Sequence, residues 1–282
     1  MRTTAGDSRG FGPKVAFVFS GGASFAAAQV GMLRAVVDTG ITPDLVVGTS
    51  AGALNAVAFA SDPTPEGVET LVDAWLATRR SDVLPVRPLT VALGLAGRRD
   101  HLFPSTRLRS WLASNLPVDR LEQTVVPTQV VTTDLATGEP VLLDEGPALP
   151  ALLASCAIPG IFPAVSIGGR SLVDGGLSAD TPIGAAEDAG ATRVLVFPSH
   201  APAGLPDGDR GAPTLLTYAY RQVLGNWTND RSWGSPDVDV EVLPLPPVGR
   251  SSPFDFRGTD RLIAEADQLT RQWLSERDRR TA

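Results

Sequence analysis

LVVGTSAGALNAVAFA, residues 45–60, is the stretch whose reading decides the fold. Leu45 to Val47 is an apolar run that fits a buried strand. It enters Gly48-Thr49-Ser50-Ala51-Gly52, a G-x-S-x-G, and Ala51 to Ala60 then reads as a buried helix. Strand, sharp reversal and helix are what a serine nucleophile requires. The reversal pushes Oγ out at the carboxyl edge of a sheet, and Gly48 and Gly52, two positions either side, leave room for neighbouring backbone. The helix starting at Ala51 turns its positive end toward Ser50. The competing reading is a helix N-cap serine in a tight loop.

A second glycine-rich loop lies upstream. KVAFVF, 14–19, reads as a buried strand, SGGAS, 20–24, as a turn, and Phe25 to Val37 as a helix that stops by Gly40. Acyl transfer needs amide N–H groups aimed at a developing oxyanion. Gly21, Gly22 and Ala23 offer such groups with little side-chain obstruction, and the N–H of Ala51 adds another. A glycine loop before a helix also suits phosphate, but the chain has neither G-x-G-x-x-G nor G-x-x-x-x-G-K-S/T there. This alternation of strands and helices predicts an α/β chain whose parallel sheet is covered on both faces.

Downstream, Pro65 to Thr78 reads as a helix. Residues 79–117 break the rhythm with arginines, prolines and the apolar PLTVALGLAG, and suit a cap rather than a sheet layer. TQVVTTDL, 128–135, restores a strand and turns through ATGE into PVLLDEG as a hairpin. Pro147 to Cys156 is helical, and AVSIGGRSLVDGG, 164–176, is a hairpin turned by Gly168-Gly169 that ends in Asp174-Gly175-Gly176. A helix at 182–189, a strand at 193–197, a long polar loop at 198–213, a further helix, the alternating DVDVEVLPL at 237–245 and an amphipathic helix at 259–274 complete the chain. Residues 1–13 read as a flexible leader and 14–282 as one domain.

A serine hydroxyl needs a base within hydrogen-bond reach. The chain has two histidines, His101 and His200. Ser50, Asp174 and His200 follow the chain order of the α/β-hydrolases, yet Ser50 comes after only two strands, early for that fold. Asp174 is the stronger candidate: it ends a strand, and two glycines let the chain turn away without covering the carboxylate. Its competing reading is a turn aspartate. Asp134, Asp144 and Asp180 carry no comparable context, His101 reads as structural, and Ser155 and Cys156 read as packed. Trp227, Trp233 and Trp273 read as core or pocket lining, and the G-D-S at 6–8 as chance, since no strand precedes it.

Composition narrows the function. The net charge of −7 argues against a nucleic-acid partner. One cysteine and two histidines give no basis for a catalytic zinc. No apolar run reaches bilayer length and the leader lacks an apolar middle, so the expectation is a cytoplasmic chain.

Four segments together resemble the patatin-like acyl hydrolases and phospholipases. They are FVFSGGASFAAAQVGMLRAV, the elbow PDLVVGTSAGALNAV, ASCAIPGIFPAV at 154–165, and LVDGGLSADTPI at 172–183. The resemblance covers roughly residues 14–200. It implies a three-layer α/β/α sandwich around a mostly parallel sheet, and a Ser-Asp dyad with no histidine, no metal and no cofactor. Ser50 would be the nucleophile, Asp174 the base, and the loop at Gly21, Gly22 and Ala23 the oxyanion hole. The implied substrate is a fatty-acyl ester or phospholipid. The chain departs from the family where a third glycine gives way to Ala23, where Ala26 takes a further small position, and where a basic residue is missing beside Phe25. Acyl transfer to another alcohol, or a weakly catalytic lipid- or protein-binding scaffold, are the alternatives.

Residues 79–109 hold seven arginines against two aspartates, a local charge of +5 around the apolar PLTVALGLAG. Such a patch suits peripheral contact with an anionic membrane, where each basic residue contributes about 1 kcal/mol. The reading as an ordinary surface cap stands ahead of it, since arginine is the basic residue this chain uses and Lys14 is its single lysine.

Overall fold

The computed structural model describes residues 14–84, 88–199, 235–247 and 252–281. The leader, His200, Trp227, Trp233 and the helix expected after residue 213 lie outside these residues.

The apolar runs form one sheet of eight strands among the described residues: β1 Val15–Phe19, β2 Leu45–Thr49, β3 Thr128–Asp134, β4 Pro140–Leu143, β5 Val165–Ile167, β6 Arg170–Asp174, β7 Arg193–Phe197 and β8 Asp239–Val242. Neighbours run β5-β6-β3-β2-β1-β7-β8, and β4 also pairs with β3. Pairing is parallel from β3 through β2, β1 and β7 to β8. It is antiparallel where β4, β5 and β6 join, so the sheet is mixed with a parallel body. The β5–β6 hairpin turns at Gly168 and Gly169, both at positive φ (57° and 78°), where a side chain would strain the backbone.

Period-two alternation sends successive side chains to opposite faces. Phe17, Phe19, Leu195 and Phe197 pack under α1 (Ala27–Val37), α2 (Ala51–Ser61), α3 (Pro65–Ala77) and α10 (Thr259–Thr281). The rings of Phe19 and Phe197 stack at 4.4 Å. Ala16, Val18, Val194 and Val196 face the other way, against Ile183 and Ala186 of α9 (Ile183–Asp188). The result is the three-layer α/β/α arrangement. The described residues of 79–117 supply no strand; they form α4 (Arg80–Val83), α5 (Pro88–Leu95) and α6 (Thr106–Asn115). Leu108 and Leu112 of α6 join a core with α2 and α7 (Ala148–Ser155).

Of the boundaries that differ from the sequence reading, two have a physical cause. The helix expected from Phe25 opens with a 3-10 turn, Ala23–Ala26, because the glycine loop must bend before α1 can run straight. The closing helix continues to Thr281, past Leu274, where Arg277 pairs with Glu241 and lies over the Trp273 ring.

The register around β3 positions the site. β4 occupies one edge of Val130–Thr133. β2 pairs with Thr128–Val131 and β6 with Thr132–Asp134, so both must lie on the opposite edge. There they run head to head: β2 ends at Thr49 opposite Val131, and β6 ends at Asp174 opposite Thr132. The last residue of β6 therefore meets the first residue after β2, which is Ser50.

Candidate active site

Ser50 holds φ 55° and ψ −127°, the reversal demanded between β2 and α2. Only Ser50 and Ala23, among described non-glycine residues, have positive φ, and such conformations persist only where surrounding contacts enforce them. A Cβ on Gly48 would lie 2.7 Å from Ala53 Cα, and one on Gly52 2.4 Å from Ser20 O. Both glycines are thus needed for α2 to sit against the strands. Ser50 N–H donates to Ser155 Oγ at 2.8 Å, and Ser155 Oγ–H donates to Val131 O at 2.6 Å. One buried hydroxyl so ties the elbow to β3.

Ser50 Oγ–H donates to Asp174 Oδ2 at 2.8 Å. The other carboxylate oxygen accepts Gly176 N–H at 2.8 Å, and Thr133 Oγ1–H holds the Asp174 carbonyl at 2.9 Å. Asp174 is 3% exposed. Burial pushes its carboxyl up from 3.8 to about 7; the Gly176 and Ser50 hydrogen bonds pull the other way, and the nearby Asp180 charge adds to the rise. A carboxylate tuned to neutrality is better matched to taking a hydroxyl proton than one at its ordinary value. Cys156 lines the same pocket as Ser50, and its thiol is pushed far up by burial and by Asp174, which leaves it un-ionised.

The glycine loop reaches the same point. Gly21 N–H is engaged, donating to Asp180 O at 3.0 Å. Gly22 and Ala23 N–H meet no acceptor among the described residues, and neither does Ala51 N–H. The expected set of amide donors therefore loses Gly21, whose N–H fixes the loop to the chain after β6. Ala23 adopts φ 50°, so alanine takes the left-handed conformation that a glycine would occupy more cheaply. Buried amides brace the loop from behind. Gln29 Nε2 donates to Ser20 O and Phe197 O, and Asn55 Nδ2 donates to Ala26 O and Gln29 Oε1.

An apolar pocket opens beside Ser50. Ala23, Ala51 and Cys156 line it, with Leu54, Trp75, Thr78, Val83, Leu108, Trp111, Ile158, Phe162, Phe254 and Phe256. No charged side chain is among them. Three of these residues, Val83, Leu108 and Trp111, come from the segment 79–117.

The structure brings Ser50 and Asp174 together, with Ala23 and Ala51 beside Ser50 at the pocket. His101 pairs instead with Asp100, Nδ1 to Oδ1 at 2.7 Å. Trp273 is not at the pocket; Arg277 stacks over its ring at 5.5 Å. Ser155, Cys156, Gln29, Asn55 and Trp75 also belong to the site or its bracing, which the sequence reading does not indicate. Asn55 does leave a signal, a lone amide in the apolar run of α2, whereas Gln29 shares α1 with Arg34.

Patatin-like phospholipase domain-containing protein 7 of Rattus norvegicus is 26% identical over 234 residues, covering 82% of this chain and 16% of that protein. NTE family protein MT2641 of Mycobacterium tuberculosis is 31% identical over 176 residues, covering 61% of this chain and 28% of that one. This chain spans well under a third of the length of both relatives. Among solved structures, VipD from Legionella pneumophila aligns with TM-score 0.49 at 15% identity, over 94% of this chain and 67% of that one. Human GIVD cytosolic phospholipase A2, in complex with methyl gamma-linolenyl fluorophosphonate, aligns with TM-score 0.46 at 14% identity, over 93% and 58%. The family model for patatin-like phospholipase matches residues 17–187, and the chain belongs to that family.

Proposed function

We propose that this chain is a serine acyl hydrolase that cleaves fatty-acyl esters through a Ser50–Asp174 dyad. The observation that carries the reading is the 2.8 Å hydrogen bond from Ser50 Oγ to Asp174 Oδ2, at the wall of an apolar pocket. Asp174 takes the hydroxyl proton as Oγ attacks the ester carbonyl. Gly22, Ala23 and Ala51 N–H receive the oxyanion; one such donor is worth about 3 kcal/mol of barrier. The carboxyl then returns the proton to the departing alcohol, leaving an acyl-enzyme. Water, deprotonated by the same carboxylate, releases the fatty acid and restores Ser50. The acyl chain occupies the pocket, whose lining suits an alkyl chain and offers no partner for a charged headgroup. No step calls for a cofactor.

The helices of residues 79–117 act as a cap over this pocket. Leu95, at the end of α5, is 77% exposed, and Arg98, Arg99, Arg107 and Arg109 are exposed without an ion-pair partner among the described residues. This supports peripheral contact with an anionic membrane. No described helix is long and apolar enough to cross one. Co-sedimentation with liposomes should rise with anionic lipid content; sedimentation indifferent to it removes the membrane contact.

The decisive experiment is fluorophosphonate labelling together with nitrophenyl-ester hydrolysis. The parent chain should be labelled at Ser50 and turn over esters, and Ser50→Ala should do neither. An unlabelled parent chain without esterase activity overturns the reading.

A further inference from the structure

Trp75 differs from the other apolar residues of the pocket because a hydrogen bond holds its ring in place. Its indole N–H donates to Asn55 Oδ1 at 2.8 Å. Asn55 Nδ2 donates to Gln29 Oε1 at 2.7 Å and to Ala26 O at 2.9 Å. Gln29 Nε2 donates to Ser20 O at 2.8 Å and to Phe197 O at 3.0 Å. Every amide group of both side chains is used, and both residues are fully buried. The chain of bonds runs from the pocket wall to Ser20 and Ala26, the two ends of the loop that carries Gly22 and Ala23.

Resting on the acyl-hydrolase reading above, we infer that Trp75 is the specificity-determining residue for acyl-chain length, and that Asn55 is the positioning residue that fixes it. Trp75 is 4% exposed and its ring stacks on that of Phe256, also in the lining, at 6.4 Å, whereas Trp111 is only half-buried. Leucine, isoleucine and phenylalanine walls yield to a long chain by changing rotamer. Trp75 does not, because its displacement strands Asn55 Oδ1 without a donor in the interior. An over-long acyl chain therefore presses on Trp75, and through Asn55 and Gln29 on the loop of oxyanion donors. The penalty falls on kcat as well as on KM.

The test uses nitrophenyl esters from butanoate to palmitate with the parent chain, Trp75→Phe, Trp75→Leu and Asn55→Leu. Binding of the matching fatty acids is measured in parallel on the Ser50→Ala background. Trp75→Leu frees room for about two methylenes, at about fourfold each. The optimum moves to longer esters, and the ester about two carbons beyond the parent optimum gains roughly 15-fold relative to it. Trp75→Phe moves the profile the same way by less, and covers the case in which Trp75→Leu does not fold. Asn55→Leu keeps the ring but frees it, so over-long esters recover kcat relative to the optimum. Parent-like labelling of Trp75→Phe by fluorophosphonate, with hydrolysis and binding profiles superimposable on the parent, overturns the inference. A parent chain that neither labels nor hydrolyses, yet binds fatty acids with a length limit that Trp75→Phe shifts, overturns the hydrolase reading and supports the role of Trp75.

Discussion

Asp174→Asn tests the dyad through stability as well as activity. In the folded chain the carboxyl titrates near 7 against an ordinary 3.8, because it is buried. Folding thus favours its protonated form. The sign follows: this group's contribution to stability is most favourable below pH 4 and is lost as pH rises toward 7. At about 1.4 kcal/mol per pH unit, keeping the carboxylate ionised in place costs roughly 4 kcal/mol above pH 7, an upper figure. Asparagine is neutral at every pH and nearly isosteric. Its oxygen still accepts Gly176 N–H, and its amide faces Ser50 Oγ, which turns to accept. Two hydrogen bonds are kept and the ionisation cost disappears. We expect Asp174→Asn to be more stable than the parent above pH 7 by about 2 kcal/mol, after allowing half for solvent and dipole relaxation. In a chain of this size that raises Tm by about 4–8 °C. The gain should vanish near pH 4. Esterase activity should fall by about 10²–10⁴, the usual worth of a general base. Thermal denaturation of both proteins from pH 4 to 9, with ester hydrolysis at each pH, measures both. A variant less stable than the parent by the same margin at every pH would refute the argument, since it would mean that the carboxylate is stabilised where it lies.

Other consequences can be measured on the same preparations. The pH profile of kcat/KM should rise with an apparent pKa of about 7 as Asp174 loses its proton; a profile flat down to pH 5 contradicts that assignment. Ser155→Ala leaves Ser50 N–H and Val131 O without their partner, at roughly 1–3 kcal/mol each in stability, and should lower kcat more than it raises KM; urea unfolding and steady-state kinetics report the two effects. Gly52→Ala sets a Cβ 2.4 Å from Ser20 O, backbone that cannot step aside, and should lower the urea midpoint by the equivalent of about 1–3 kcal/mol or more. Cys156 should resist iodoacetamide at pH 8 in the folded chain and react after unfolding, because burial and Asp174 keep it a thiol; rapid alkylation of folded protein would show an open site.

Local signals were enough for the elbow. Leu45–Val47, the paired glycines 48 and 52, and the small residues of α2 dictate strand, reversal and helix within one stretch of chain. The hairpin at Gly168-Gly169 was equally local. The polar braces were not, because their partners lie far off in sequence: Ser155 bonds to Ser50 across 105 positions and Asn55 to Gln29 across 26. A serine among alanines reads as packing until the register of α7 against β3 is known. Gly21 shows the reverse failure. Its sequence fits an amide donor, yet its N–H is taken by Asp180 O, an acceptor brought in by the turn after β6.

The mixed sheet explains how a lone carboxylate from a distant hairpin comes to face Ser50. In a wholly parallel sheet, the strand beside β3 on that edge would run past the elbow, and its carboxyl end would point the same way as β2. Here β2 stops at Val131 and the antiparallel β6 takes over the same edge of β3 from Thr132. Two strand ends face each other across one residue step. The peptide spacing of β3 sets the gap between Ser50 and Asp174, with no loop left to adjust it. Gly175 completes the arrangement, since a Cβ there would fall 2.3 Å from Val131 O and force β6 away from the edge. Gly175→Ala should accordingly abolish ester hydrolysis by parting the dyad while much of the fold survives, as judged by circular dichroism. Parent-like turnover in that variant would mean that the dyad distance is not set by the β3 edge.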